Sequence, residues 1–216
     1  MSRFRKENIT CPKCGKESEF IVWESINTML DPKLKDQLMS GELLCFTCSD
    51  CGYKLRIDYS LLYHQMEDEI MIYYVANEEE VDKVSEMLLG MGKTVAGFVG
   101  NSMDNYIKRI TTSISGLLEK INIFSNGLDD RIIEIMKLFY YDSIDDESKK
   151  RLREIQFYVE DSGEMVFIFC SDEGAFASSP FIRSLYDEVA ENYSEKLTTV
   201  SEKDLIIDLK WALNIF

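Results

Sequence analysis

The chain holds one histidine, three prolines and no long apolar run among its 216 residues. With His64 as the only histidine, a histidine-rich metal site is excluded, and any Ser-His-Asp or Cys-His catalytic system must pass through that residue. So few prolines, with no low-complexity stretch, leave no proline-rich linker, and the whole chain is expected to be ordered. No segment has the unbroken apolar length of a membrane-spanning helix and no secretory signal opens the sequence, which places the expectation in a reducing cytoplasm, away from membranes. Phosphate-cradling glycine patterns are missing as well: Gly97-Phe98-Val99-Gly100 lacks the spacing of a Walker or Rossmann loop.

Positive charge is also scarce. Lys and Arg number 24 against 39 Asp and Glu, a formal charge of −15. Residues 1–60 carry nine of each sign, so the whole deficit falls on residues 61–216. Nucleic-acid binding needs a concentrated basic face to displace counterions. Only Arg3, Arg5, Lys6, Lys13 and Lys16 approach one, and the plainer reading of so small a group is a solvated tail and knuckle surface. An acidic pI near 4.5 argues further against DNA, RNA or an anionic membrane, and points instead to a protein partner with basic surface.

Against these absences stand six cysteines, four of them in two matched pairs. Cys11-Pro12-Lys13-Cys14-Gly15 and Cys48-Ser49-Asp50-Cys51-Gly52 lie 33 residues apart. A two-residue gap lets both thiolates of a pair turn toward one ion, and two pairs complete a tetrahedral four-cysteine site with no open position, the ligand set of one structural Zn2+ per chain. Gly15 and Gly52 suit the positive φ that a tight ligand turn imposes after its second cysteine. A third gap, Cys45-Phe46-Thr47-Cys48, makes the second pair ambiguous; the following glycine favours Cys48 with Cys51 and leaves Cys45 as a small apolar residue in the incoming strand. A thioredoxin-like couple would open a helix after a buried strand, whereas polar stretches flank both pairs here, and stable disulfides are uncommon in a reducing compartment. An iron-sulfur cluster and no metal at all are the remaining alternatives.

Periodicity predicts an α+β fold in three parts: an N-terminal zinc-ribbon-like antiparallel module at residues 1–76, a helix and glycine-rich junction at 77–100, and a mixed α+β domain at 101–216. Ser18–Ser25 reads as the strand leaving the first knuckle. Asp31 and Pro32 start a helix that Gly41 ends, inserted between the two halves of the ribbon. Leu43–Thr47 leads into the second knuckle and Tyr53–Tyr59 leads out. After the acidic turn Glu67-Asp68-Glu69, Ile70–Ala76 continues the first sheet, and Asn77 caps a helix in which Val81, Val84, Met87 and Leu88 recur at helical spacing before Gly90. The second half opens with a strand at Tyr106–Thr112, then a helix with Leu117, Leu118, Ile121 and Phe124 that stops near Gly127, then one from Asp129 that is apolar over much of its circumference. Ile155–Glu160 and Glu164–Cys170 form a hairpin, Ser179-Pro180 begins a helix to about Lys196, and Ser201 caps the last.

The stretch Thr10-Cys11-Pro12-Lys13-Cys14-Gly15, the segment Leu30-Asp31-Pro32-Lys33-Leu34-Lys35, the second knuckle and Leu61-Leu62-Tyr63-His64 together resemble the bacterial CpXC domain family, named for its Cys-Pro-x-Cys motifs. The likeness spans roughly residues 9–76, and Gly127-Leu128-Asp129-Asp130 resembles the domain often found behind it. Ser49 stands where the family pattern has proline, which leaves the thiolate spacing intact and alters only local rigidity. The resemblance implies a zinc-ribbon-like module and no particular reaction.

Other candidates have plainer readings. His64 fits a packing or rim residue, Asp129-Asp130 fits helix capping better than paired carboxylates, and acidic neighbours around Cys170 oppose a nucleophilic thiol. The expected function is therefore a non-catalytic zinc-binding adapter or regulatory protein. The alternative is an enzyme with a pocket between the halves using His64 and carboxylates, and the more distant one is nucleic-acid binding through the basic N-terminus. No catalytic residue is assigned, and oligomeric state is not legible.

Overall fold

Antiparallel pairing of β1 (Arg3–Thr10) with β2 (Glu17–Asn27) builds a ribbon whose turn is the first cysteine knuckle. Along β2 the buried Ser18, Phe20 and Val22 alternate with exposed Glu17, Glu19 and Ile21, so one face of the ribbon meets a core and the other meets solvent. The computed structural model describes residues 2–90, 103–200 and 204–215. The chain divides into two compact units, Met1–Ile114 and Ser115–Phe216.

In the first unit a crossover follows β2. It holds α1 (Lys33–Met39), which buries Leu34 and Leu38 on one face, and the short hairpin β3 (Cys45–Thr47) with β4 (Lys54–Arg56), whose turn is the second knuckle. Pro32 takes the position before α1 and no side chain caps the helix, so the predicted Asp31 cap is replaced by a proline-set entry. The chain then returns as β5 (Leu61–Gln65), parallel to the end of β2, and continues as β6 (Ile70–Tyr74), α2 (Val81–Gly90) and β7 (Ile107–Thr111). The sheet order is β1-β2-β5-β6-β7, while β3 and β4 form a separate two-stranded sheet. Ile26, Leu61, Tyr63 and Ile72 are fully buried in the sheet, and Phe20 packs edge-on against Phe46 of β3.

Several sequence expectations need correction. The N-terminal residues form β1 rather than a solvated tail; every one is exposed except the half-buried Ile9, so there is no alternation to read. The strand expected at Tyr106–Thr112 to open the second half is β7, which pairs parallel with β6 inside the first unit. The junction read at 90–100 lies, beyond Gly90, outside the described residues, as does the Ser201 cap.

The second unit packs α3 (Ile114–Ser125) and α4 (Asp130–Ser143) with a three-stranded antiparallel sheet of β8 (Glu154–Val159), β9 (Met165–Ser171) and β10 (Gly174–Pro180). The short α5 (Asp146–Arg151) precedes that sheet. β10 occupies Ser179-Pro180, so the helix expected there starts later, as α6 (Arg183–Asn192), followed by α7 (Ser194–Thr199) and α8 (Leu209–Leu213) capped by Asp208. Phe157 meets Phe167 and Phe181 edge to face, those two also touch each other, and Tyr140 of α4 joins them at 4.4 Å from Phe167.

Candidate metal centre

Two turns of the same construction carry the cysteine pairs. In the first, the Cys11 N–H donates to the Lys16 carbonyl at 2.8 Å and the Gly15 N–H donates back to the Cys11 carbonyl at 2.9 Å. In the second, the Cys48 N–H donates to Tyr53 at 2.8 Å and Gly52 donates back to Cys48 at 3.0 Å. Both glycines hold positive φ, 73° at Gly15 and 68° at Gly52, the conformation that turns the chain back under its own sulfurs. The four Sγ atoms converge to within 4.8 Å of one another. Two approaches run between the knuckles, Cys11 to Cys51 and Cys14 to Cys48, each 3.6 Å. Four thiolates at Zn–S distances stand about 3.8 Å apart in a tetrahedron, so the donor set fits one such ion.

Cys45 is outside this group. It lies in β3 opposite Arg56, and its sulfur faces the Phe46 carbonyl. Of the two readings of the second pair, it is Cys48 and Cys51 whose sulfurs lie within 4.8 Å of those of the first knuckle.

Residues 9–137 match the model of the family described as CpXC protein. The chain belongs to the CpXC family. No curated protein and no solved structure matches it. The match covers both knuckles and runs well past residue 76, through β7 and α3 into α4.

Ser49, the departure from the Cys-Pro-x-Cys pattern, has work of its own in this CpXC chain. Its N–H donates to Ser18 Oγ at 3.2 Å and its hydroxyl lies 3.0 Å from the same oxygen, while Ser18 Oγ also points at Cys48 Sγ, 3.8 Å away. A proline there would have no N–H to give. Ser18 thus ties β2 to the second knuckle, and an ion pair of Lys16 with Asp50 ties the two turns at the surface.

The thiols are unequal. Cys48 is held down to about 6 by the N–H groups of Cys51 and Asp50, which favour its thiolate against desolvation. Cys14 is pushed up to about 12: the Lys16 N–H favours its thiolate, but desolvation and the three neighbouring sulfurs outweigh it. A bound cation would favour the thiolate form of its ligands.

The other sequence candidates lie elsewhere. His64 of β5 has Nδ1 at 3.5 Å from Asn27 Nδ2 and Nε2 at 3.3 Å from the Tyr106 hydroxyl, and burial lowers its pKa. Its nearest partners are an amide and a phenol; Glu67 turns instead to the Thr28 hydroxyl, 2.8 and 2.9 Å away. Arg3, Arg5, Lys6 and Lys16 each face an acid, in Glu24, Glu7, Glu19 and Asp50, so four of the five members of the N-terminal basic group are locally paired. Asp129 caps α4 through the Arg131 N–H, as expected. Burial, then Glu154, raises the Cys170 thiol.

Asp130 does something the sequence reading missed. It is fully buried and faces Lys120 at 2.9 Å, within a cluster that also holds Glu119, Glu134 and Lys137. Lys120 Nζ donates to the Ile207 carbonyl at 2.6 Å and lies 3.5 Å from Glu134; Lys137 Nζ lies 2.7 Å from Glu119 and 2.9 Å from Glu134. Glu119 also accepts the Phe157 N–H, which locks α3 to β8. Three carboxylates share two ammonium groups, Glu134 Oε2 has no hydrogen-bond partner among the described residues, and burial raises the Glu119 pKa. The sequence carries only half of that signal: a helix apolar most of the way round leaves its charges little solvent face, but their spacing is that of ordinary surface residues.

Proposed function

We propose that this CpXC protein is a non-catalytic adapter whose first unit is fixed by one structural Zn2+ on Cys11, Cys14, Cys48 and Cys51. The carrying observation is the meeting of four sulfurs from two turns of the same build, 3.6 Å apart across the knuckles. Four thiolates saturate a tetrahedral ion, leaving no position for water or substrate, so the ion's role is cross-linking. It would join the β1–β2 ribbon to the crossover that carries β3 and β4. An acid-rich chain with a formal charge of −15 then favours a protein partner with basic surface.

Elemental mass spectrometry on untagged protein, with thermal melting before and after chelation, tests the reading. About one zinc per chain, and loss of a cooperative transition when it is removed, is the expected result. Protein without zinc, or zinc stripped with no loss of folding, would overturn it and return the cysteines to thiol redox chemistry.

A further inference from the structure

The outer edge of the first sheet is unclaimed by anything described above. β1 ends the order β1-β2-β5-β6-β7, and no described strand lies on its far side. Its register with β2 is unbroken from Phe4 to Thr10, and the Cys11 N–H donates to Lys16 at the ribbon's end. Antiparallel alternation therefore directs the main-chain groups of Arg5, Glu7 and Ile9 toward β2, and turns those of Phe4, Lys6, Asn8 and Thr10 outward. An exposed edge of eight residues without proline is a template for another strand.

We propose that β1 pairs antiparallel with β1 of a second copy of this chain, about a two-fold axis at Lys6. Opposed side chains in a sheet share a face, so a two-fold axis through an antiparallel pair must set one residue opposite itself. Centring on Lys6 matches the outward groups of both copies: Phe4 with Asn8 of the second copy, Lys6 with Lys6, and Asn8 with Phe4, each pair exchanging two main-chain hydrogen bonds. Arg5 of each copy then stands opposite Glu7 of the other, at the non-hydrogen-bonded positions where cross-strand side chains come closest. Charge on an edge strand ordinarily repels a partner, but here both signs occur and are symmetric about Lys6. Lys6 meets its own copy only at the wider, hydrogen-bonded position, and each has Glu19 at 2.9 Å. The adjacent registers are worse, since centring on Arg5 opposes two arginines at the close position and centring on Glu7 opposes two glutamates.

Sedimentation velocity of the full, metal-loaded chain from about 1 µM to about 0.1 mM, the range of micromolar affinity, tests the pairing. A reversible dimer is expected, with Arg5→Glu weakening it at least about tenfold and the double variant Arg5→Glu/Glu7→Arg restoring it. Lys6→Pro removes an outward N–H without touching the β1–β2 ladder and is expected to abolish the dimer, while Lys6→Ala retains it. Should Lys6→Pro fail to fold, the charge-reversal series decides alone. A chain monomeric throughout would overturn the proposal and leave the edge to a strand of a different protein. A dimer indifferent to the Arg5→Glu charge reversal would also overturn it, by placing the interface elsewhere.

Discussion

Four sulfurs meet in the first unit with Cys14 exposed and Cys51 half-buried, whereas five charged side chains meet in the second with none more than 5% exposed. The sulfurs sit on turns at the sheet's margin and call for a cation from outside. The charges sit between α3 and α4 and answer one another, through Lys120 with Asp130 and Lys137 with Glu119 and Glu134. A metal cluster tolerates partial exposure because its bonds are strong; a cluster of carboxylates and ammonium groups holds only while every member stays paired. With an ion bound as proposed, the first centre would be lost by removing that ion, the second by removing a single side chain.

That contrast can be broken at four points. The largest effect is expected from Cys48→Ser, which leaves three thiolates: metal is lost, and with it the structural contribution of about 10 kcal/mol or more that four-cysteine sites supply. Trp23 and Trp211 are the only tryptophans, one in each unit, so Trp211→Phe leaves a fluorescence reporter confined to the first unit. Its unfolding transition is expected to vanish in the Cys48→Ser background, while Trp211 in a Trp23→Phe chain still reports a transition in the second.

Next, Lys120→Met leaves Asp130 buried without its ammonium and is expected to cost the second unit about 3–5 kcal/mol, read as a lowered urea midpoint on Trp211. Equal midpoints for Lys120→Met and wild type would show that the cluster does not hold that unit together. Smaller again, Gly52→Ala forces a side chain into φ 68° and is expected to cost about 1–2 kcal/mol in the metal-loaded first unit, with the metal retained.

The smallest effect is a slope. Burial raises the Glu119 pKa above its ordinary 4.5, so the folded chain holds that proton more tightly than the unfolded one. Between 4.5 and the raised folded value, its contribution to the second unit's stability falls as pH rises. Lys137, Glu134 and Lys120 face the same carboxylate, so the measurable quantity is the difference between wild type and Glu119→Gln across pH 4.5 upward, which is expected to narrow the decline. Identical slopes would remove Glu119 as its source.

The same contrast explains what was legible. The knuckles could be read because cysteine spacing and the trailing glycines are local, and the α+β class followed from helical periodicity in α3 and α4 and from the bulky strand-forming residues of β2 and β6. The Asn77 and Asp129 caps were legible for the same reason. The pairing of β7 with β6 was not, since sheet neighbours are set by non-local contacts that no window contains. β1 escaped because an edge strand exposed on both faces carries no period. The charge cluster escaped because Glu119, Lys120, Glu134 and Lys137 have the spacing of ordinary surface residues, and only the packing of both helices against β8 and the chain near Ile207 puts them inside.

The parallel pairing of β2 with β5 carries a kinetic consequence. The second knuckle lies inside the crossover that must close before Ser25–Asn27 can register with Leu62–His64. Bringing the ends of a loop of 33 residues together costs about 3 kcal/mol of chain entropy. An ion captured early by both cysteine pairs would meet that cost before any strand hydrogen bond forms, so refolding started with zinc present is expected to outpace refolding in which zinc is added last. The order of addition, and not the final metal content, would then set how long the unpaired edges of β2 and β5 stand open to other chains.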